Sequence, residues 1–281
     1  MGLVINTNIA SINAQRNLGK TEDTLKTSLA RLSSGMRITA AKDDAAGLAI
    51  SEKLRAQIRG TAQAERNAND GISLVQTAEG ALNEVSNVLI RIRELTVQAA
   101  TGTLGDEERL YLDSEFENLR DEITRIASVT EFNSQKLLDG STSGGLDIQV
   151  GLHNVAMDRI SISITGTYTS QLGSSGNTLN SQSISTVASA RSTMAVIDQA
   201  IEDISGIRGD LGAVQNRLST TVKNLATQRE NLAAANSRIR DVDVAAETVS
   251  LTRSQILMQA GVSVLAQANQ LPAMALSLIG Q

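Results

Sequence analysis

Cysteine and tryptophan do not occur among the 281 residues, and the chain holds one proline, one histidine, two phenylalanines and two tyrosines. Without cysteine there is no disulfide, no thiolate nucleophile and no cysteine-based metal site. With a single histidine, His153, a multi-histidine metal site cannot be built, and a Ser-His-Asp triad would have to use that one residue. The scarcity of aromatics removes the platforms on which single-stranded nucleic acid stacks, and a net charge of −5 argues against a polyanionic partner. No apolar run reaches the roughly 18 residues that a membrane-spanning helix needs. The opening MGLVINTNIASINAQRN also lacks the basic stretch and unbroken apolar run of a secretory leader.

What is present suits helices packed side by side. Hydrophobic residues make up 41% of the chain and charged residues 20%, which is too apolar for a disordered chain. The core must be drawn from Leu, Ile, Val, Met and Ala. Charge is unevenly placed, with nine Lys/Arg against five Asp/Glu in residues 1–60, and one Arg against three acids in the last 41. The two ends therefore have opposite sign.

The clearest periodicity lies in residues 197–239, where Ile197, Ile204, Leu211, Leu218, Leu225, Leu232 and Ile239 recur every seven residues. The companion row is partly polar: Met194, Ile201 and Val222 alternate with Arg208, Gln215, Arg229 and Asn236. An earlier segment carries Val75, Leu82 and Leu89 on one row and Ala78, Val85, Ile92 and Ala99 on another, so the two long helices are natural partners. TGTLGDEE reads as a helix stop followed by a new start, which predicts a shorter helix over 106–129. LDIQVG (146–151) and RISISIT (159–165) alternate with period two and predict a small hairpin lying against the helices. Residues 166–185, rich in Gly, Ser, Thr and Asn, read as a surface loop.

Both ends also have helical pattern. Leu18, Leu25 and Leu32 form a row near the start, and Leu257, Val264, Leu271 and Leu278 alternate with Gly261, Ala268 and Ala275 near the end. A ridge of large residues beside a groove of small ones invites a second helix to approach closely. Pro272 predicts a kink or a break. The fold class expected is mainly α: a long antiparallel helical bundle or coiled coil with a small β-hairpin, whose terminal helices pack only in a polymer.

The stretch RLSSGMRITAAKDDAAGLAISEKLR (31–55) tests whether the chain carries chemistry. Gly35 precedes Lys42 by seven residues and no Ser or Thr follows the lysine, so the phosphate-cradling spacing fails. Asp43 and Asp44 are sequence neighbours and point in different directions on a helix. A joint accounts for every residue: Gly35 ends one helix in the left-handed conformation, Asp43 or Asp44 starts the next, and Ala45, Ala46 and Gly47 leave room for a neighbour. His153 falls in the hairpin turn as a solvated side chain. The acids Asp106, Glu107 and Glu108 suit the first turn of a helix better than a cation site. No catalytic residue, metal ligand or cofactor is expected.

Four blocks carry a family resemblance: SSGMRITAAKDDAAGLAIS (33–51), LIRIRELTVQAATGT (89–103), TEFNSQKLLDG (130–140) and SQILMQAGVSVLAQANQLPAMALSLIGQ (254–281). Together they resemble bacterial flagellin, the subunit of the flagellar filament. The resemblance implies a structural protein, not an enzyme, that is exported unfolded by the flagellar type III system to an extracellular filament that serves motility. It implies a division into a filament-core helix and joint at 1–44, a helical shell at 45–165 with its hairpin at 146–165, and the 166–185 loop in place of larger outer domains. A returning shell helix follows at 186–239 and a second core helix at 240–281. It further implies inter-subunit packing through the two terminal rows, an export chaperone on the C-terminal segment, and filament cap and hook-junction proteins as partners. A host Toll-like receptor is implied to recognise Arg91 and Leu95. A hook–filament junction protein, or a soluble helical adaptor, is the alternative reading.

Overall fold

The computed structural model describes residues 7–174 and 177–279, with the side chains of Ser174 and of 271–279 outside that description. Among the described residues five α-helices run in chain order: α1 (Ile9–Ser34), α2 (Ala45–Ala99), α3 (Asp106–Val129), α4 (Val187–Arg240) and α5 (Val244–Ile279). Between α3 and α4 lie three two-stranded antiparallel sheets: β1 (Glu131–Phe132) with β2 (Gln135–Lys136), β3 (Leu146–Gln149) with β4 (Arg159–Ile162), and β5 (Gly173–Ser174) with β6 (Asn177–Thr178). The chain divides into two compact units. One comprises Met1–Gln57 and Asn231–Gln281, the other Ile58–Glu230.

The unit spanning 58–230 has the larger core. Val75, Leu82, Leu89, Ala78, Val85, Ile92 and Ala99 of α2 are all fully buried, as are Ile197, Ile204, Leu211 and Leu218 of α4 to within 1%. The heptad rows read from the sequence are therefore the seam of this unit. Its polar interruptions are matched across the helices: Arg229 pairs with Glu65 at 2.8 Å, and Arg93 pairs with Asp198. Partner numbers rise on α2 as they fall on α4, so the helices run antiparallel. α3 adds Phe116, Ile123 and Ala127 to the core. The buried Arg109 guanidinium donates to the carbonyls of Ala99 and Thr101 at 3.1 and 2.8 Å, closing the end of α2 with groups that the helix itself cannot satisfy.

The hairpin expected at 146–165 forms with Leu146 opposite Ile162 and Ile148 opposite Ile160. It lies against the helices, and Gly71 of α2 is the point of approach: a Cβ there would stand 3.3 Å from Ile148 and 3.4 Å from Leu218. His153 sits exposed in the turn, its backbone N–H donating to Asp158 at 2.6 Å. The β1–β2 hairpin was not expected, and its turn residues Asn133 and Ser134 both take positive φ, 51° and 64°.

Residues 166–185 are not a simple surface loop. Leu172, Leu179 and Ile184 reach the core, and the Ile184 N–H donates to the Asp113 carboxylate at 2.7 Å. A segment dominated by small polar residues is held by these three buried apolar side chains and by the partly buried Tyr168, a spacing that no short-range period reveals.

In the unit of residues 1–57 and 231–281, α1 and α5 pack antiparallel along their length. Asn8 donates to the Ala268 carbonyl at 2.8 Å at one end of the pair, and Arg31 stands 3.7 Å from Glu247 at the other. The expectation that the terminal helices pack only in a polymer is thereby modified. They pack on each other along one face and leave their other faces bare. α5 continues without a break from Val244 to Ile279, through Pro272.

Candidate functional site

The stretch between α1 and α2 has a second strand of chain beside it. Gly35 ends α1 at φ 69°, ψ 9°, the left-handed conformation that glycine adopts without a Cβ clash. Asp44 accepts the Gly47 N–H at 2.8 Å and so caps the start of α2. A Cβ on Gly47 would lie 2.4 Å from that carboxylate and 2.8 Å from the Ile38 side chain. The room left by Gly47 is thus filled by its own cap and by Ile38, which is buried.

Asp43 has a different task from its neighbour. Its carboxylate accepts from the Thr39 hydroxyl at 2.8 Å and from the backbone N–H groups of Thr39 and Ala40 at 3.1 Å each, bracing the turn before α2. Chiefly through the Thr39 hydroxyl, and then the two backbone donors, these bonds hold Asp43 below the usual aspartate range.

The returning chain lies alongside. Met36 and Asp241 form an antiparallel bridge, the Arg37 N–H donates to the Arg240 carbonyl at 2.6 Å, and the Val242 N–H donates to the Gly35 carbonyl at 3.1 Å. Arg240 also reaches Glu52 at 2.7 Å, and Ser51 donates to Asn236 at 2.8 Å. Arg240, and after it Arg55, lowers the pKa of Glu52. Asp243 accepts from the N–H groups of Ala245 and Ala246 at 3.0 and 3.2 Å and starts α5. Arg240, Glu52 and Asp243 escaped the sequence reading. A signal existed for Asp243, since an aspartate before Val-Ala-Ala-Glu has the form of a helix start.

The terminal rows divide between two faces. Leu18, Leu25 and Leu32 are half-buried on the side of α1 that faces α5. Gly261 and Ala268 line the matching side of α5: a Cβ on Gly261 would stand 3.1 Å from Leu18, and Ala268 is buried. Small residues recur along this contact, with Ser28 and Ser254 also buried. They let the two backbones come close. Leu257 and Val264, by contrast, are exposed on another face of α5, as are Val249 and Ile256. Leu271, Ala275 and Leu278 lie outside the residues whose side chains are described.

The structure does not bring Arg91 and Leu95 together as one exposed patch. Arg91 is at the surface and pairs with Glu115 at 2.8 Å and Glu94 at 3.0 Å, whereas Leu95 is completely buried in the core of its unit. Among the described residues no group of three or more His, Cys, Asp or Glu converges as metal ligands would, and no helix is long and apolar enough to cross a membrane.

Comparison with known proteins matches both ends of the chain to one family. The bacterial flagellin N-terminal helical region matches residues 5–143, and the bacterial flagellin C-terminal helical region matches residues 194–279. A flagellin of Halalkalibacterium halodurans is 46% identical over 280 residues, covering 99% of this chain and all of the relative. The flagellar filament core protein flaB2 of Brachyspira hyodysenteriae is 44% identical over 284 residues, with the same coverage of both chains. The crystal structure of Bacillus cereus flagellin is 33% identical and superposes with a TM-score of 0.49, covering 61% of this chain and 94% of that one.

Proposed function

This chain belongs to the bacterial flagellin family, and on that premise we propose that the outward faces of α1 and α5 are the surfaces through which copies meet. The protein is a structural subunit of the extracellular flagellar filament and is not an enzyme. The observation that carries the proposal is the half-finished packing of the terminal pair. Ile9, Ile12, Val249, Ile256, Leu257 and Val264 remain 53–61% exposed beside or away from the side on which the two helices are in contact. A surface with this much apolar area asks for a partner. A heterologous contact between identical copies, without ring closure, yields an open helical polymer.

In this reading the residues of 1–44 and 240–281 form the filament core, and those of 45–165 and 186–239 form the shell around it. Leu18, Leu25, Leu32, Gly261 and Ala268 hold each copy's own pair together, and Leu257 and Val264 face the next copy. The joint of Gly35, Asp43, Asp44 and Gly47 lies between core and shell. Export through the flagellar type III system, a chaperone on the C-terminal segment, and contacts with cap and hook-junction proteins belong to the same proposal. The bare row on α5 suits a chaperone, since it is the apolar surface that would need covering before assembly. Recognition by a host receptor through Arg91 and Leu95 requires Leu95 to be uncovered, and the burial of Leu95 weighs against it.

The test is seeded assembly of the purified full-length protein, followed by electron microscopy. Long helical filaments of uniform diameter are expected. A product that stays monomeric, or closes into a small ring, contradicts the reading and favours the adaptor alternative.

A further inference from the structure

We propose that in the filament Arg253 of one copy pairs with Asp23 of a neighbouring copy, and that this ion pair sets the register in which the outward face of α5 meets the outward face of α1. The inference rests on the filament reading above. Its starting point is the scarcity of charge in α5: residues 244–281 contain two charged side chains, Glu247 and Arg253. Glu247 turns towards α1 and Arg31. Arg253 is exposed, in a shallow groove with Val249, Ile256, Leu257 and two threonines. Once a second helix covers that groove, the guanidinium loses water and needs a carboxylate, because an unpaired charge in such a place is strongly unfavourable.

The unit that contains α5 offers few candidates. Asp43, Asp44 and Asp243 are engaged with backbone N–H groups. Glu22 holds Lys26 at 2.7 Å, and Glu52 holds Arg240 and Arg55. Among the described acids of this unit that leaves Asp23, which makes no side-chain hydrogen bond or close ion pair and acts on Lys26 only as a nearby charge, and Asp241. Asp241 lies in the joint, bridged to Met36. Asp23 lies on the outward side of α1, on the same face as Ile12, which is 56% exposed.

Spacing singles out Asp23. Ile12 precedes Asp23 by eleven residues, and Val264 follows Arg253 by eleven, about three helical turns in each case. In an antiparallel approach, setting Asp23 against Arg253 therefore also sets Ile12 against Val264. The same register places Leu257 opposite Gly19, where a Cβ would meet nothing within 4 Å. One alignment thus matches charge to charge, apolar to apolar, and a large side chain to a gap. Antiparallel is also the required sense, since α1 and α5 run oppositely within each copy and copies in a filament share one orientation.

Because the chain has no cysteine, cross-linking tests the pair directly. Full-length protein carrying Asp23→Cys and Arg253→Cys, assembled under reducing conditions and then oxidised, is expected to give a ladder of covalent multimers on a denaturing gel. A ladder from Asp241→Cys with Arg253→Cys, and none from the first combination, overturns the assignment. Charge exchange supplies the second measurement. Asp23→Arg or Arg253→Asp alone should raise the critical concentration for assembly by about tenfold or more, as loss of a covered ion pair predicts, and the two together should restore it to within about twofold. Wild-type filaments with neither ladder nor rescue refute the pair while leaving the filament reading intact. Failure of the wild-type protein to assemble refutes that reading, and the pair with it.

Discussion

The two units of the molecule solve the same problem, closing an antiparallel pair of long helices, with different residues. In residues 58–230 the contact is filled by Leu, Ile and Val in heptad rows, and by a third helix, a hairpin and the anchors Leu172, Leu179 and Ile184. In residues 1–57 and 231–281 the buried hydrophobic side chains among the described residues are Ile38 and Ala268, and the contact is lined by Ser28, Ser254 and Gly261. The first unit buries apolar area on several sides. The second closes one side and presents the rest. Hydrophobic stabilisation scales with apolar area removed from water, at about 25 cal/mol per Å², so the terminal pair gains much less from folding by itself. One unit is closed on several sides, and the other leaves apolar side chains exposed.

The comparison breaks most severely on truncation. Removing residues 254–281 is expected to abolish polymerisation while the melting transition of the 58–230 unit stays in place, as seeded assembly and calorimetry on one preparation would show. Filaments of normal form from the truncated chain would remove the role assigned to α5.

Single substitutions sharpen the contrast. Leu82→Ala, in the fully buried row of α2, should destabilise its unit by about 2–5 kcal/mol through lost contacts and a cavity. Leu257→Ala, on the bare face of α5, should change the stability of the free subunit by less than about 0.5 kcal/mol, yet raise the critical concentration. Chemical denaturation read beside assembly separates the two effects. If Leu82→Ala and Leu257→Ala cost the same in the free subunit, the division between units is mistaken.

A smaller effect is expected from Ala268→Leu. Overfilling the close contact between α1 and α5 should cost about 1–3 kcal/mol, seen as faster amide exchange in both terminal helices and none in α2 beyond residue 58.

At the joint the effects are smaller still. Gly35→Ala meets no neighbouring atom, so its cost is that of the left-handed backbone, about 1–2 kcal/mol. Asp44→Ala should cost about 1 kcal/mol as a lost cap. Asp43 and Glu52 both have pKa values depressed in the folded chain. Their stabilising bonds are therefore fully present above the ordinary carboxylate range, near pH 4, and are lost as pH falls through the depressed values. Exchange at the Thr39 and Ala40 amides should be insensitive to these groups near neutrality and accelerate in strong acid, with Asp43→Asn removing most of that dependence.

Much of this was legible in the residues. The seven-residue spacing of Ile197 to Ile239 marked the long helix whatever it packed on, because a helix of any environment places such residues on one face. The joint was legible because Gly35 and Asp44 act on their own backbone within three residues. Arg240 and Glu52, 188 residues apart, were not, since nothing in either neighbourhood names the other. The anchors in 166–185 were hidden for the same reason.

Periodicity, caps and composition determined which segments are helical, where the chain turns, and that its core must be aliphatic, because these depend on neighbours along the chain. Which face of α5 closes on α1, that Leu95 is sealed within a core, and that a second strand braces the joint were decided only by the tertiary structure. Those outcomes depend on which surfaces meet, and burial is a property of the pair rather than of either helix alone.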